Sequence, residues 1–210
     1  MDADKKTVTI GGRSIDEYIA MVTGFHGSFA PGLLLGGFMV EHAMRNLPPG
    51  EFFDVICETS HCLPDAIQLL TPCSIGNGWL RIIDVGRFAM TFYDKRTGSG
   101  VRVYLDHRKL EPWNEIKNWF FRLKPKSEQS RERLIDEMVR AGEDVLGARY
   151  LSVKKEFLAH RHGGAISLCP ECGEAYPSEH GERCRACQGA LPYDDGPRRV
   201  PRVEGSGASI

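Results

Sequence analysis

The strongest constraint on this chain lies near its C-terminus: Cys169-Pro-Glu-Cys172-Gly, eleven further residues, then Cys184-Arg-Ala-Cys187-Gln-Gly. Two C-x-x-C pairs close a tetrathiolate site, because each pair spans one edge of a tetrahedron of metal–sulfur bonds about 2.3 Å long. Gly173 and Gly189 follow the pairs, where a tight turn that aims backbone N–H groups at sulfur needs a residue without a Cβ. Zinc is the first choice of metal; a rubredoxin-like iron site shares the Cys-Pro-x-Cys-Gly knuckle. So short a segment cannot bury a sufficient core, so the metal supplies its folding energy. Four sulfurs also fill the coordination sphere. The motif therefore predicts one structural metal and leaves the function open.

The 210 residues suit one ordinary domain with a small appendage, and 41% hydrophobic content is enough for a core. A formal net charge of -1 argues against a dedicated nucleic-acid or anionic-membrane binder. Within the cysteine-rich segment and the residues after it, Arg183, Arg185, Arg198, Arg199 and Arg202 face Glu171, Glu174, Glu179, Glu182, Asp194 and Asp195. Phosphate neutralisation needs a surplus of cations, so nucleic acid is not an expected partner and a zinc-ribbon regulator is disfavoured. No stretch approaches the roughly 18 apolar residues of a membrane span, and the first residues lack the apolar run of a secretory signal. With four of seven cysteines on the metal, Cys57, Cys62 and Cys73 cannot all pair. Reduced thiols and a cytoplasmic location are expected.

Periodicity predicts an α+β fold: an antiparallel sheet flanked by helices, with a small C-terminal zinc-ribbon-like module. Residues 1–13 read as an N-terminal extension, 14–160 as the core, 166–193 as the four-cysteine module and 196–210 as a disordered Pro/Arg/Gly/Ser-rich tail. Ser14-Ile-Asp-Glu17 is a capping box that opens a helix, with Gly24 as its stop. Pro31 starts a second helix running to about Leu47, rich in small residues (Gly32, Gly36, Gly37, Ala43) that let another backbone approach. A strand is expected over 52–58 and a short helix over 65–70. An antiparallel meander comes next, over 79–85, 88–94 and 101–106. Helices over 107–121 and 127–146 and a last strand over 150–158 complete the core.

Two further groups carry chemistry. Cys62 precedes a short helix, whose N-terminal dipole favours thiolate. Asp65 and Gln68 lie three apart, on one face beside it. The bland alternative makes Cys57 and Cys73 small core residues and Asp65 a cap. His26 sits in a Gly-rich link between two helices, which allows close ligand approach, although a lone histidine is more often a packing residue.

Phe25-His26-Gly27-x-x-x-Pro31-Gly32, Cys62-x-x-Asp65-Ala66-Ile67-Gln68, Thr71-x-Cys73-Ser74-x-Gly76, Gly100-Val-Arg-Val103 and the two C-x-x-C pairs resemble, in order, the FmdE-like family. That family is named after the FmdE component of molybdenum or tungsten formylmethanofuran dehydrogenase. The resemblance implies an α+β core, a homodimer with a cleft near the interface between its two chains, and a C-terminal zinc finger that packs on or swaps with the partner. It points to an accessory or ligand-binding protein linked to molybdenum/tungsten oxidoreductase subunits or one-carbon metabolism, with the redox chemistry in other subunits. His26, Cys62, Asp65 and Cys73 then become the candidate catalytic residues of the cleft, and Gln68 a ligand contact. Ser28 and Ala30 stand where the family pattern Phe-His-Gly-His-x-Cys-Pro-Gly has a histidine and a cysteine, and Pro72 replaces a glycine. A second metal in the cleft would therefore bind less tightly, on His26 and Cys62 with His61 or Cys73 as a further ligand, or the cleft binds a ligand without metal. The alternative is an enzyme in its own right, with Cys62 as nucleophile or metal ligand, His26 as acid/base and Asp65 as orienter.

Overall fold

Residues 8–48, 52–158 and 164–193 are described by a computed structural model, in two units that divide after Leu158. The first unit begins with a hairpin of β1 (Thr9–Ile10) and β2 (Arg13–Ser14). It inserts a fully buried Ile10 into the main core, so these residues belong to the core rather than to an extension. The capping box then forms. Glu17 accepts from the Ser14 backbone N–H at 2.8 Å, and the Glu17 N–H donates to Ser14 Oγ at 3.3 Å. Helix α1 (Ile15–His26) runs through Gly24, its expected stop, and is closed by Gly27 at φ 83°, whose N–H returns to the Thr23 carbonyl. The left-handed cap, which only glycine adopts without strain, falls three residues later than the pattern suggested.

Pro31 opens α2 (Pro31–Asn46), buried from Gly32 to Val40. Gly32 and Gly36, one turn apart, form a bed for α3 (Leu63–Leu70). A Cβ on Gly36 would lie 2.8 Å from the Ala66 Cβ, and one on Gly32 would lie 2.9 Å from the Cys62 Cβ and Sγ. The small residues thus serve the close approach expected of them.

The five-stranded sheet has the order β4-β3-β5-β6-β7, made of β4 (Leu80–Ile82), β3 (Phe53–Cys57), β5 (Ala89–Asp94), β6 (Ser99–Leu105) and β7 (Leu146–Ser152). Strand alternation sends Val55, Cys57, Met90, Phe92, Val101 and Val103 into one core with Leu33, Leu34 and Met39 of α2. Each fully buried aliphatic side chain there contributes roughly 1.5–3 kcal/mol. Ile56, Thr91, Arg102 and Arg149, paired across the strands, lie on the opposite face.

Several expected elements are shorter or differently paired. The strand over 79–85 shrinks to β4 and pairs parallel with β3, because α3 carries the chain across between them. It is not part of an antiparallel meander. Pro112 divides the helix expected over 107–121 into a 3₁₀ turn (His107–Lys109) and α4 (Asn114–Phe120). The helix over 127–146 reduces to α5 (Arg131–Ala141), capped by Ser130 and ended by Gly142 at φ 49°. Leu146, read as its last apolar position, begins β7 instead.

The second unit is a hairpin of β8 (Ile166–Leu168) and β9 (Ala175–Pro177) with Cys169 and Cys172 in its turn, followed by helical turns at Ala186–Ala190 that hold Cys187. The tail expected over 196–210 lies outside the described residues.

Candidate functional site

In the second unit the Sγ atoms of Cys169, Cys172, Cys184 and Cys187 all lie within 4.8 Å of one another. Cys169 and Cys187 approach to 3.6 Å, and Cys172 and Cys184 to 3.7 Å. Four sulfurs at about 2.3 Å from a zinc ion would stand about 3.8 Å apart, so the cluster fits that metal. The Cys184 N–H points at Cys169 Sγ (3.5 Å) and the Cys187 N–H at Cys184 Sγ (3.4 Å). Burial opposes ionisation of Cys169, but N–H groups of Cys172, Cys184 and Glu171 outweigh it and bring the thiol down to about 6. A lowered thiol suits a metal thiolate. All four ligands come from protein, so the site is closed.

The core brings His26, Asp65 and Cys62 together by a different route. His26 is the last residue of α1 and Asp65 lies in the first turn of α3; their Nδ1 and Oδ2 stand 2.5 Å apart. Both side chains are about a quarter exposed, 27% and 26%. A carboxylate on Nδ1 leaves Nε2 as the imidazole's working nitrogen, to accept a proton or meet a ligand.

Cys62 occupies the turn before α3 in a conformation that L-residues rarely adopt, φ 57° and ψ -54°. The Leu63 N–H reaches back to the His61 carbonyl at 2.6 Å, the i to i+2 bond of a γ-turn of the rare positive-φ kind. Such turns cost of order 1–3 kcal/mol and persist where surrounding structure fixes them. Here Gly32 gives the room: any side chain on it would collide with Cys62 and touch the Phe88 ring. Phe88 in turn meets Trp119 and Phe120 of α4 edge-on.

The expectation that the helix dipole favours a Cys62 thiolate is outweighed. Burial, and then the Asp65 carboxylate, push the thiol up, and Lys126 offsets only part of this. Cys62 is therefore a thiol at neutral pH, and the Asp65 carboxylate that acts on it is the one that holds His26.

Cys73 and Gln68 stand apart from this group. Cys73 is fully buried, its Sγ 3.6 Å from the Phe53 carbonyl and its thiol pushed up to about 11 by burial. Cys57 is likewise buried, bonded to the Thr59 carbonyl, and pushed up to about 12. Both match the bland reading as core residues. Gln68 Oε1 accepts from the Ile75 N–H at 3.2 Å, which ties down the loop after α3. Among the described residues, the one group of three or more candidate metal ligands is the C-terminal tetrathiolate. Sequence reasoning missed Phe88 and Lys126, whose proximity to Cys62 is created only by folding.

Comparison with known proteins now separates the two units. Residues 25–152 match the family described as FmdE, molybdenum formylmethanofuran dehydrogenase operon. The chain belongs to the FmdE family. Residues 160–194 match the FmdE treble clef zinc finger, which specifies the kind of finger formed by the hairpin and following helical turns. The crystal structure of a tungsten formylmethanofuran dehydrogenase FmdE-like protein from Syntrophus aciditrophicus is 53% identical, with a TM-score of 0.82, over 90% of this chain and 99% of that one. A probable S-adenosyl-L-methionine-binding protein of Archaeoglobus fulgidus is 28% identical over 168 residues, 71% of this chain. The match spans 46% of that relative, so the chain covers less than half of its length. No single helix among the described residues is long and apolar enough to cross a membrane. The bent pair α1 and α2 passes by length and composition only, and α2 is largely buried in the protein core.

Proposed function

We propose that this FmdE-family protein is a cytoplasmic accessory protein that binds a small ligand at His26, Asp65 and Cys62 and serves a molybdenum- or tungsten-containing oxidoreductase of one-carbon metabolism. The observation that carries the reading is the 2.5 Å His26–Asp65 pair beside a thiol fixed in a strained turn. The pair orients the ring, and Gly27, with nothing within 4 Å of the place its Cβ would take, leaves space beside it. The name of the Archaeoglobus fulgidus relative nominates S-adenosyl-L-methionine as the first ligand to test. The zinc finger would act as a structural or protein-contact module, because its metal has no open position.

Calorimetric titration of S-adenosyl-L-methionine into the full chain tests the ligand. Saturable binding lost in His26→Ala supports the reading, and no binding by the wild type removes this ligand. Co-purification with a tagged chain, followed by molybdenum and tungsten analysis of the complex, tests the partner; neither metal above background would sink that association.

The strained Cys62 turn favours a second reading, an enzyme with Cys62 as nucleophile. His26 Nε2 would take the thiol proton and Asp65 would hold the resulting imidazolium. Electrospray mass of the intact chain after incubation with an acyl thioester separates the readings. A Cys62-dependent adduct supports the nucleophile, and no adduct supports binding alone.

A further inference from the structure

The sheet face turned away from the helices carries Ile56, Thr91, Arg102 and Arg149. A cavity of about 300 Å³ opens there, within the size range of small-ligand pockets. Its floor and walls include the apolar Ile56, Ile83, Val85, Leu151 and Val153. Its polar lining is unbalanced: Arg87, Arg102, Arg149 and Lys154 against a single carboxylate, Glu58.

That carboxylate is already committed. Arg102 holds it with two bonds, Nε to Oε1 at 2.5 Å and Nη2 to Oε2 at 2.7 Å, and the Arg102 side chain is only 9% exposed. Arg87 reaches Glu58 only at 4.0 Å. Arg149 stands directly opposite Arg102 in the antiparallel register of β6 and β7, so two guanidiniums share one face of one cross-strand pair. Like charges placed this way destabilise a sheet, a repulsion that Glu58 relieves only in part by pairing with Arg102. Lys154 pairs outside the cavity, with its exposed neighbour Glu156 at 3.9 Å. A cluster of cations on one face raises the local concentration of anions.

We propose that this face binds a small organic phosphate, a di- or trianion with an apolar body. Guanidinium forks at Arg149 and Arg87 match phosphate oxygens, Lys154 adds a point charge, and the branched aliphatic walls cover the body.

Calorimetry at low salt, with phenyl phosphate and inorganic phosphate as probes, tests this on the full zinc-loaded chain. Phenyl phosphate should bind more tightly than inorganic phosphate, and its affinity should fall with added NaCl. Arg149→Ala, at an exposed position that folding does not need, should weaken binding roughly tenfold. Lys154→Ala should weaken it less, and His26→Ala not at all. No binding of either probe, equal affinity for both, or binding unchanged in the Arg149→Ala, Lys154→Ala double variant would overturn the proposal. So would a change in mass by light scattering in Arg149→Glu, which would show that protein covers this face.

Discussion

Two alanine substitutions in neighbouring helices should shift stability in opposite directions. Gly24 lies inside α1 with no atom within 4 Å of the position its Cβ would take. Alanine there removes the backbone-entropy cost of a helical glycine and should stabilise by about 0.5–1 kcal/mol. Gly36 has the same helical backbone, but its Cβ would stand 2.8 Å from the Ala66 Cβ and 3.2 Å from Leu63 Cδ2. The leucine tip can rotate; the Ala66 Cβ moves only with α3. Restoring an ordinary carbon contact shifts α3 by about 1 Å, an overpacking cost of about 1–3 kcal/mol that exceeds the helix-propensity gain. The two variants should then differ by about 2 kcal/mol. In a unit of this size that is roughly 4–8 °C in Tm, with Gly24→Ala above wild type and Gly36→Ala below. Differential scanning calorimetry of the zinc-loaded chain reads both. Because α3 carries Asp65, the same displacement should weaken the His26–Asp65 pair and any ligand binding that depends on it. A Gly36→Ala midpoint equal to or above that of Gly24→Ala would refute the tight α2–α3 contact.

Other outcomes follow from the same geometry. Chelation, or Cys169→Ser, should release one zinc per chain and unfold the segment from about Ile166 onward. Most far-UV circular dichroism should remain, since the first unit has its own helices and sheet; complete loss would contradict this. Iodoacetamide labelling of Cys62 should rise with pH later than that of a free cysteine, because burial and Asp65 raise its thiol. Asp65→Asn should move the labelling curve to lower pH; a shift upward would show that the carboxylate does not act on the sulfur. Asp106 is held down to about 2 by the Arg108 guanidinium and, more weakly, the Arg108 N–H, against burial. Its contribution is therefore present above the usual carboxylate range near 3.8 and is lost as pH falls through about 2. Asp106→Asn should flatten the acid limb of the stability profile, modestly because Arg108 is mostly exposed; an unchanged limb would remove the pair as a cause.

Much of the architecture was legible because its signals are local. The capping box, the proline start of α2 and the cysteine spacing each depend on a few adjacent residues, and each forms as read. The errors share a different cause. Gly24 looks like a stop only until Gly27 takes the left-handed cap, and the 127–146 periodicity continues past Gly142 because Val145 and Leu146 are buried by the sheet. The parallel pairing of β4 depends on where α3 delivers the chain, which strand alternation does not encode. At the site, the His26–Asp65 pair joins two motifs recognised separately. The γ-turn at Cys62, the burial that raises its thiol and the cationic sheet face depend on long-range packing, so no run of residues announced them.

The central claim is that the four-cysteine site is structural and that recognition resides in the core around His26. Titration of S-adenosyl-L-methionine into wild type, His26→Ala and Cys169→Ser tests it most directly. The account predicts saturable binding by wild type and by the zinc-free Cys169→Ser chain, and none by His26→Ala. Binding that survives in His26→Ala, or that disappears with the zinc, would contradict it.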